Sequence, residues 1–110
     1  MRPIPRAMLI HTATLLDVET NAYGSETLTP IAELTRVRVE WSESAQRTQE
    51  NTQAARTALL LYDARNSLPS QVTFSTEQRV RFGGKTYHVE AVEPLCDGAR
   101  LHHIEVSLRE

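Results

Sequence analysis

Four histidines (His11, His88, His102 and His103) and a single cysteine, Cys96, are the side chains here that could ligate a transition metal or serve as base and nucleophile. A structural zinc site needs four such ligands, held as closely spaced pairs. The one close pair, His102 and His103, is adjacent in sequence. In a β-strand adjacent side chains point to opposite faces, so these two are not expected to share an ion. The remaining spacings match no ligand pattern, and the expectation is no metal site and no cofactor. Nucleophilic catalysis finds no better footing. There is no Gly-x-Ser-x-Gly turn. Cys96 sits without a local signature in the run from Glu93 to Gly98, which suits a small packing residue. The acids are scattered, alternating with apolar or basic residues as on a solvated strand face. Gly83-Gly84 lies between two strand-like runs and opens no helix, so it reads as a turn and not a phosphate loop. No set of acid, base and nucleophile emerges, which points away from an enzyme.

The charged residues suggest contact surfaces instead. Arg36 and Arg38 form one basic stripe and Arg79 and Arg81 another. Side by side, the two stripes could face DNA or an acidic partner. The alternative is a solvated face with cross-strand partners such as Glu40, Glu90 or Glu105. Asp63 and Arg65 flank a strand end, where a salt bridge between them is expected to fix the following loop. The chain carries 12 basic and 14 acidic residues, a net charge of -2, whereas a protein that grips DNA by charge is basic. Aromatic content of 5% excludes a stacking platform for single strands. A channel through which DNA slides remains compatible, since tight binding would hinder sliding.

These residues must be positioned by a β-rich fold. A length of 110 residues suits one domain with one modest core. Residues 1–6 hold two prolines and two arginines and read as an extended arm, with Arg2 and Arg6 as candidate contacts on a neighbour; a frayed terminus is the other reading. Residues 8–18 read as a strand apolar on both faces, and 26–28 as a second, short one before Pro30. In 34–42, Val37, Val39 and Trp41 share one face and Arg36, Arg38 and Glu40 the other. Residues 57–64, 78–82, 86–92 and 101–108 complete about six strands, with Gly83-Gly84 as a hairpin turn and 93–98 as a loop. The expected fold is all-β, a small barrel or sandwich. Between 42 and 57 there is no large apolar residue. That stretch is expected to be a long polar loop near 43–57, with some helix open around 45–57 because it is rich in Ala, Gln, Glu and Arg.

One cysteine permits no internal disulfide, so no oxidising compartment is required. No apolar run approaches the length of a membrane helix. The short run Ala7–Ile10 is broken by His11 and makes a poor signal-peptide core, so a cytosolic protein is expected.

Three segments in order carry a resemblance to a known family: Arg2-Pro3-Ile4-Pro5 with Leu9-Ile10-His11-Thr12, then residues 62–69 from Tyr62 to Pro69, then residues 92–98 followed by Leu101-His102-His103-Ile104-Glu105. Their order and spacing resemble the minor capsid proteins of siphophage and prophage structural clusters. The resemblance implies a head-tail connector, or head-closure protein, in the virion neck. It implies identical subunits in a ring, contacts to portal and adaptor proteins and to the tail terminator, DNA passing through the lumen, assembly in the host cytoplasm, and no cofactor. On that reading residues 43–56 form a partner or lumen loop, with Gln46, Arg47, Gln49, Glu50, Asn51 and Gln53 as candidate contacts. A tail terminator or tail-completion ring is the nearest alternative. A β-barrel module binding peptide or nucleic acid is the alternative of another class, disfavoured by the low aromatic content and net charge.

Overall fold

Apolar residues at alternate positions turn one face of each strand inward. Val37 and Val39, Leu60 and Tyr62, and Ile104, Val106 and Leu108 are all buried on that pattern. The computed structural model describes residues 4–47 and 52–110. It holds a 3-10 turn, Arg6–Met8, and six strands: β1 His11–Thr20, β2 Glu26–Arg47, β3 Thr52–Asp63, β4 Arg79–Phe82, β5 Lys85–Asp97 and β6 Arg100–Arg109. The strands close a barrel in the order β1-β2-β3-β6-β5-β4, every pair antiparallel. The all-β expectation holds, and of barrel and sandwich the fold is a barrel. Its interior is filled by side chains from all six strands together with Phe74 from the β3–β4 connection.

Four single-residue register shifts shape the barrel. On β2, Ala13 opposes Leu34 and His11 opposes Val37, so β2 holds one extra residue there, and Arg36 takes a left-handed φ of 55°. A second extra residue in β2 lies opposite Leu15 and Leu16, which pair with Ala32 and Pro30. Such bulges bend a strand and re-aim its side chains. This one lies opposite adjacent Leu15 and Leu16, both fully buried, of which Leu15 belongs to the barrel core cluster and Leu16 does not. It also seats Pro30 inside a strand, so the short strand at 26–28 and the one at 34–42 are one strand of 22 residues. The remaining shifts lie at Glu90 in β5 and His102 in β6. β5 runs on to Asp97, so most of the expected loop 93–98 is strand and only its end turns. The Gly83-Gly84 turn has φ of 61° and 81°, the left-handed pair that a two-residue hairpin turn requires.

The polar stretch 43–57 differs from the expected loop. β2 and β3 pair without a shift from Val37↔Tyr62 through Ser42↔Thr57 to Arg47↔Thr52, forming a long ribbon. Strand pairing satisfies backbone groups whatever the side chains, so a segment with no apolar pattern can still be strand. Gln46, Arg47 and Gln53 lie on this ribbon. Gln49, Glu50 and Asn51 lie outside the described residues, as does Arg2.

Residues 64–78 cross the barrel end between β3 and β4. Leu68 exchanges two backbone hydrogen bonds with Thr35, at 2.8 and 3.0 Å. Buried Ser67 ties the crossing to the Arg36 bulge. Its hydroxyl accepts from the Asp63 N–H at 2.8 Å and donates to the Arg36 carbonyl. Ser67→Ala strands both groups without a partner, and is expected to cost roughly 2 kcal/mol. Urea unfolding checks this: the midpoint falls while the slope stays unchanged.

Candidate functional site

The two barrel ends differ in chemistry. At the crossed end, Phe74 packs edge-on against Tyr62 with ring centroids 5.4 Å apart, and the Tyr62 hydroxyl donates to the Pro69 carbonyl. Asp63 is fully buried, and its Oδ2 accepts the Asn66 N–H at 2.9 Å. Asp63 does fix the loop that follows, but through Asn66 and Ser67; no ion pair joins it to Arg65 among the described residues. A cleft of about 290 Å³ opens here, lined by Asp63, Arg65, Asp97, Arg100 and His102 among others. Two acids and two arginines give it no net sign.

Adjacent His102 and His103 were expected on opposite faces. The bulge at His102 brings them together instead, with Nδ1 atoms 2.6 Å apart, and His103 Nε2 lies 3.2 Å from Glu105 Oε1. Among the described residues no group of three or more His, Cys, Asp or Glu side chains is placed to hold a metal ion. Cys96 is exposed, so it is not the packing residue expected.

Burial pushes the Tyr62 phenol above its ordinary value of 10.0; the backbone of Val72 and Gln71 pulls the other way, and the Asp63 charge raises it again. A raised phenol pKa favours the neutral form in the folded state. The stabilisation is therefore full below the unfolded value near 10 and is lost as pH rises through the folded value. Unfolding midpoints should hold level to about pH 9 and fall above it. Phenolate absorbance should report Tyr62 ionising above its ordinary value of 10.0, and Tyr62→Phe should remove its share of the alkaline loss.

The other end carries the ribbon. Its base is an aromatic cluster: Trp41 of β2 meets Tyr87 of β5 at 5.3 Å and Phe82 of β4 at 6.0 Å. β2 is a neighbour of neither β4 nor β5 in the sheet, so Trp41 meets the other two rings across the barrel. His11 packs edge-on against Phe82 at 5.2 Å, and its Nδ1 accepts the Val39 N–H at 3.0 Å. That bond satisfies β2 just past the last residue that β1 covers, Val37. The stem of the ribbon is thus clamped by side chains, while the ribbon itself runs past the barrel.

The two arginine pairs lie on strands that are not side by side. β1 lies between β2, which carries Arg36 and Arg38, and β4, which carries Arg79 and Arg81. Arg38 pairs with Glu40 at 2.9 Å and also reaches the Met8 carbonyl at 3.3 Å; Arg79 lies 3.5 Å from Glu26. Arg36 and Arg81 are exposed, as is Arg6 at the 3-10 turn. Sequence reasoning named Glu40 as a partner but missed Glu26, which nothing in local spacing links to Arg79.

Comparison with known proteins adds three findings. The family described as minor capsid protein matches residues 5–108. A chain of a solved structure described as the virion of a native gene transfer agent particle has a similar fold, with a TM-score of 0.65 at 20% identity, covering 99% of this chain and 96% of that one. At that identity the likeness is one of fold. No curated protein matches the sequence.

Proposed function

This chain belongs to the minor capsid protein family, and from that premise we propose that it is a structural subunit of a phage-like virion neck. In this role identical copies form a ring that closes the DNA-filled head below the portal and adaptor proteins and joins it to the tail. The barrel is the body of the subunit, and the β2–β3 ribbon is its contact arm toward the lumen or the adjacent ring. The observation that carries the reading is this ribbon. A small barrel filled by its own side chains continues into a long two-stranded arm whose sequence has no large apolar residue. A catalytic or small-ligand role has no use for such an arm. Symmetry about the channel would bring every copy of it to one level. Gln46, Arg47 and Gln53 on the ribbon, together with Gln49, Glu50 and Asn51, are the contacts proposed. Arg2 and Arg6 serve as arm contacts on the neighbour. Exposed Arg36 and Arg81 face partners or passing DNA, while Arg38 and Arg79, each beside a carboxylate, help to hold strand edges together.

Electron cryomicroscopy of whole particles tests the proposal. The expected result is a ring of this chain between the portal-adaptor complex and the tail. Density for it at the distal end of the tail tube, or on the capsid shell, would overturn the neck assignment.

A further inference from the structure

The ribbon is a two-stranded structure with open sides. β1 covers β2 only as far as Val37, and β6 covers β3 only from Thr57. Beyond those limits no strand lies beside the outer edge of residues 43–47 or of residues 52–56 among the described residues. A lone two-stranded ribbon is marginal in water and needs a third strand or a packed face. This one has no large apolar residue to pack.

The direction of its backbone groups is fixed by one bond. The Val39 N–H points away from β3, because it donates to His11 on the β1 side. The register runs on without a shift to Arg47, so the N–H groups of Glu43, Ala45 and Arg47 point the same way. Leu60 opposes Val39, so on β3 the N–H groups of Ala54 and Arg56 point outward on the opposite side.

Proteins that must keep strand edges unpaired blunt them, often with proline or lysine. Of the three other hairpins, β1–β2 carries Pro30 and β5–β6 carries Pro94, while the short β4–β5 hairpin carries Lys85 beside its turn. Residues 42–57 contain neither proline nor lysine. This edge is built to be paired.

Resting on the ring reading, we propose that the two edges pair with each other between copies. Residues 43–47 of one subunit would lie antiparallel to residues 52–56 of the next, joining all the ribbons into one closed sheet around the channel. The directions agree. In a ring every ribbon points the same way, so an outgoing β2 meets a returning β3, as it does within the hairpin. Such a head-to-tail contact closes by rotation. The charges agree as well. Glu43 opposes Arg56 in each ribbon, so copies at one height give a row alternating in sign, with no like charges opposed.

The test places proline on the outward positions. Ala45→Pro and Ala54→Pro each remove an N–H that serves only the neighbour. Both are expected to leave the free subunit with an unchanged unfolding midpoint and to abolish DNA-delivering particles, while Ala45→Val keeps them. Wild-type activity from both proline variants would overturn the pairing. Amide exchange of the wild-type chain gives a second measurement that needs no variant. Amides of 43, 45, 47, 54 and 56 should exchange about tenfold or more slowly in particles than in the free chain. Equal exchange within an observed ring overturns the edge pairing alone. Particles with no ring of this chain overturn the neck reading beneath it.

Discussion

Cells producing a chain in which Asn-Gly replaces residues 45–54 are expected to make folded protein and particles that deliver DNA at or near background. The replacement keeps Ser44↔Ala55 as the closing pair of the hairpin. That pair lies one step from the outward-pointing Ala45, so its residues exchange hydrogen bonds with each other, and Asn-Gly suits the tight turn that follows. The core members on β2 and β3 among the described residues, Leu34, Val37, Val39, Ala58, Leu60 and Tyr62, are all kept. The aromatic base at Trp41, Tyr87 and Phe82 is also retained. Stability should therefore change by no more than about 1 kcal/mol, as for surface changes away from packed features. Thermal unfolding of the purified chain checks that half. Counting full heads, empty heads and tailed particles checks the other, with empty or tailless heads expected. Wild-type delivery by this variant would mean that the ribbon has no role in closure, whatever the barrel does.

The contrast between barrel and ribbon also explains what the sequence could convey. Strands with one buried face announce themselves. Val37 and Val39, and Ile104, Val106 and Leu108, alternate cleanly, and Gly83-Gly84 marks its turn. The ribbon has no large apolar residue, so the alternation that reveals a strand is missing from 42–57. Its pairing is set by the long β2 and β3 stems that enter it in register. Bulges are illegible for a different reason. One extra residue reverses which face a side chain takes, and nothing in composition marks Ile31 or His102 as extra. Hence His102 and His103 touch where alternation would part them. The candidate site was legible only in part. A polar segment with no place in a core pointed to contact with something outside, but the open edges depend on where β1 and β6 stop, and that is a property of the folded sheet.

The residue whose importance is least visible in sequence is Phe74. It stands in Val72-Thr73-Phe74-Ser75-Thr76, an isolated aromatic without strand or helix period. The β3–β4 crossing carries it over the barrel mouth, where it is 9% exposed and joins the core against Tyr62. The crossing holds its shape through backbone bonds at Thr35 and Leu68 and through the Gln78 side chain. Gln78 accepts the Ser75 N–H at 2.8 Å and donates to the Thr73 carbonyl at 3.2 Å, so Phe74 sits between two clamped neighbours. Because the loop cannot collapse into the space, Phe74→Ala should leave a cavity and cost about 3–5 kcal/mol. Against the roughly 5–15 kcal/mol that holds a typical domain, this is the largest single loss expected from the chain. Phe74→Leu keeps most of the volume and should cost under about 1.5 kcal/mol. Urea titrations of the two variants separate packing from mere hydrophobicity: a large gap between them places the barrel's cap in this one ring, and equal small losses would mean that the crossing is held by its backbone bonds alone.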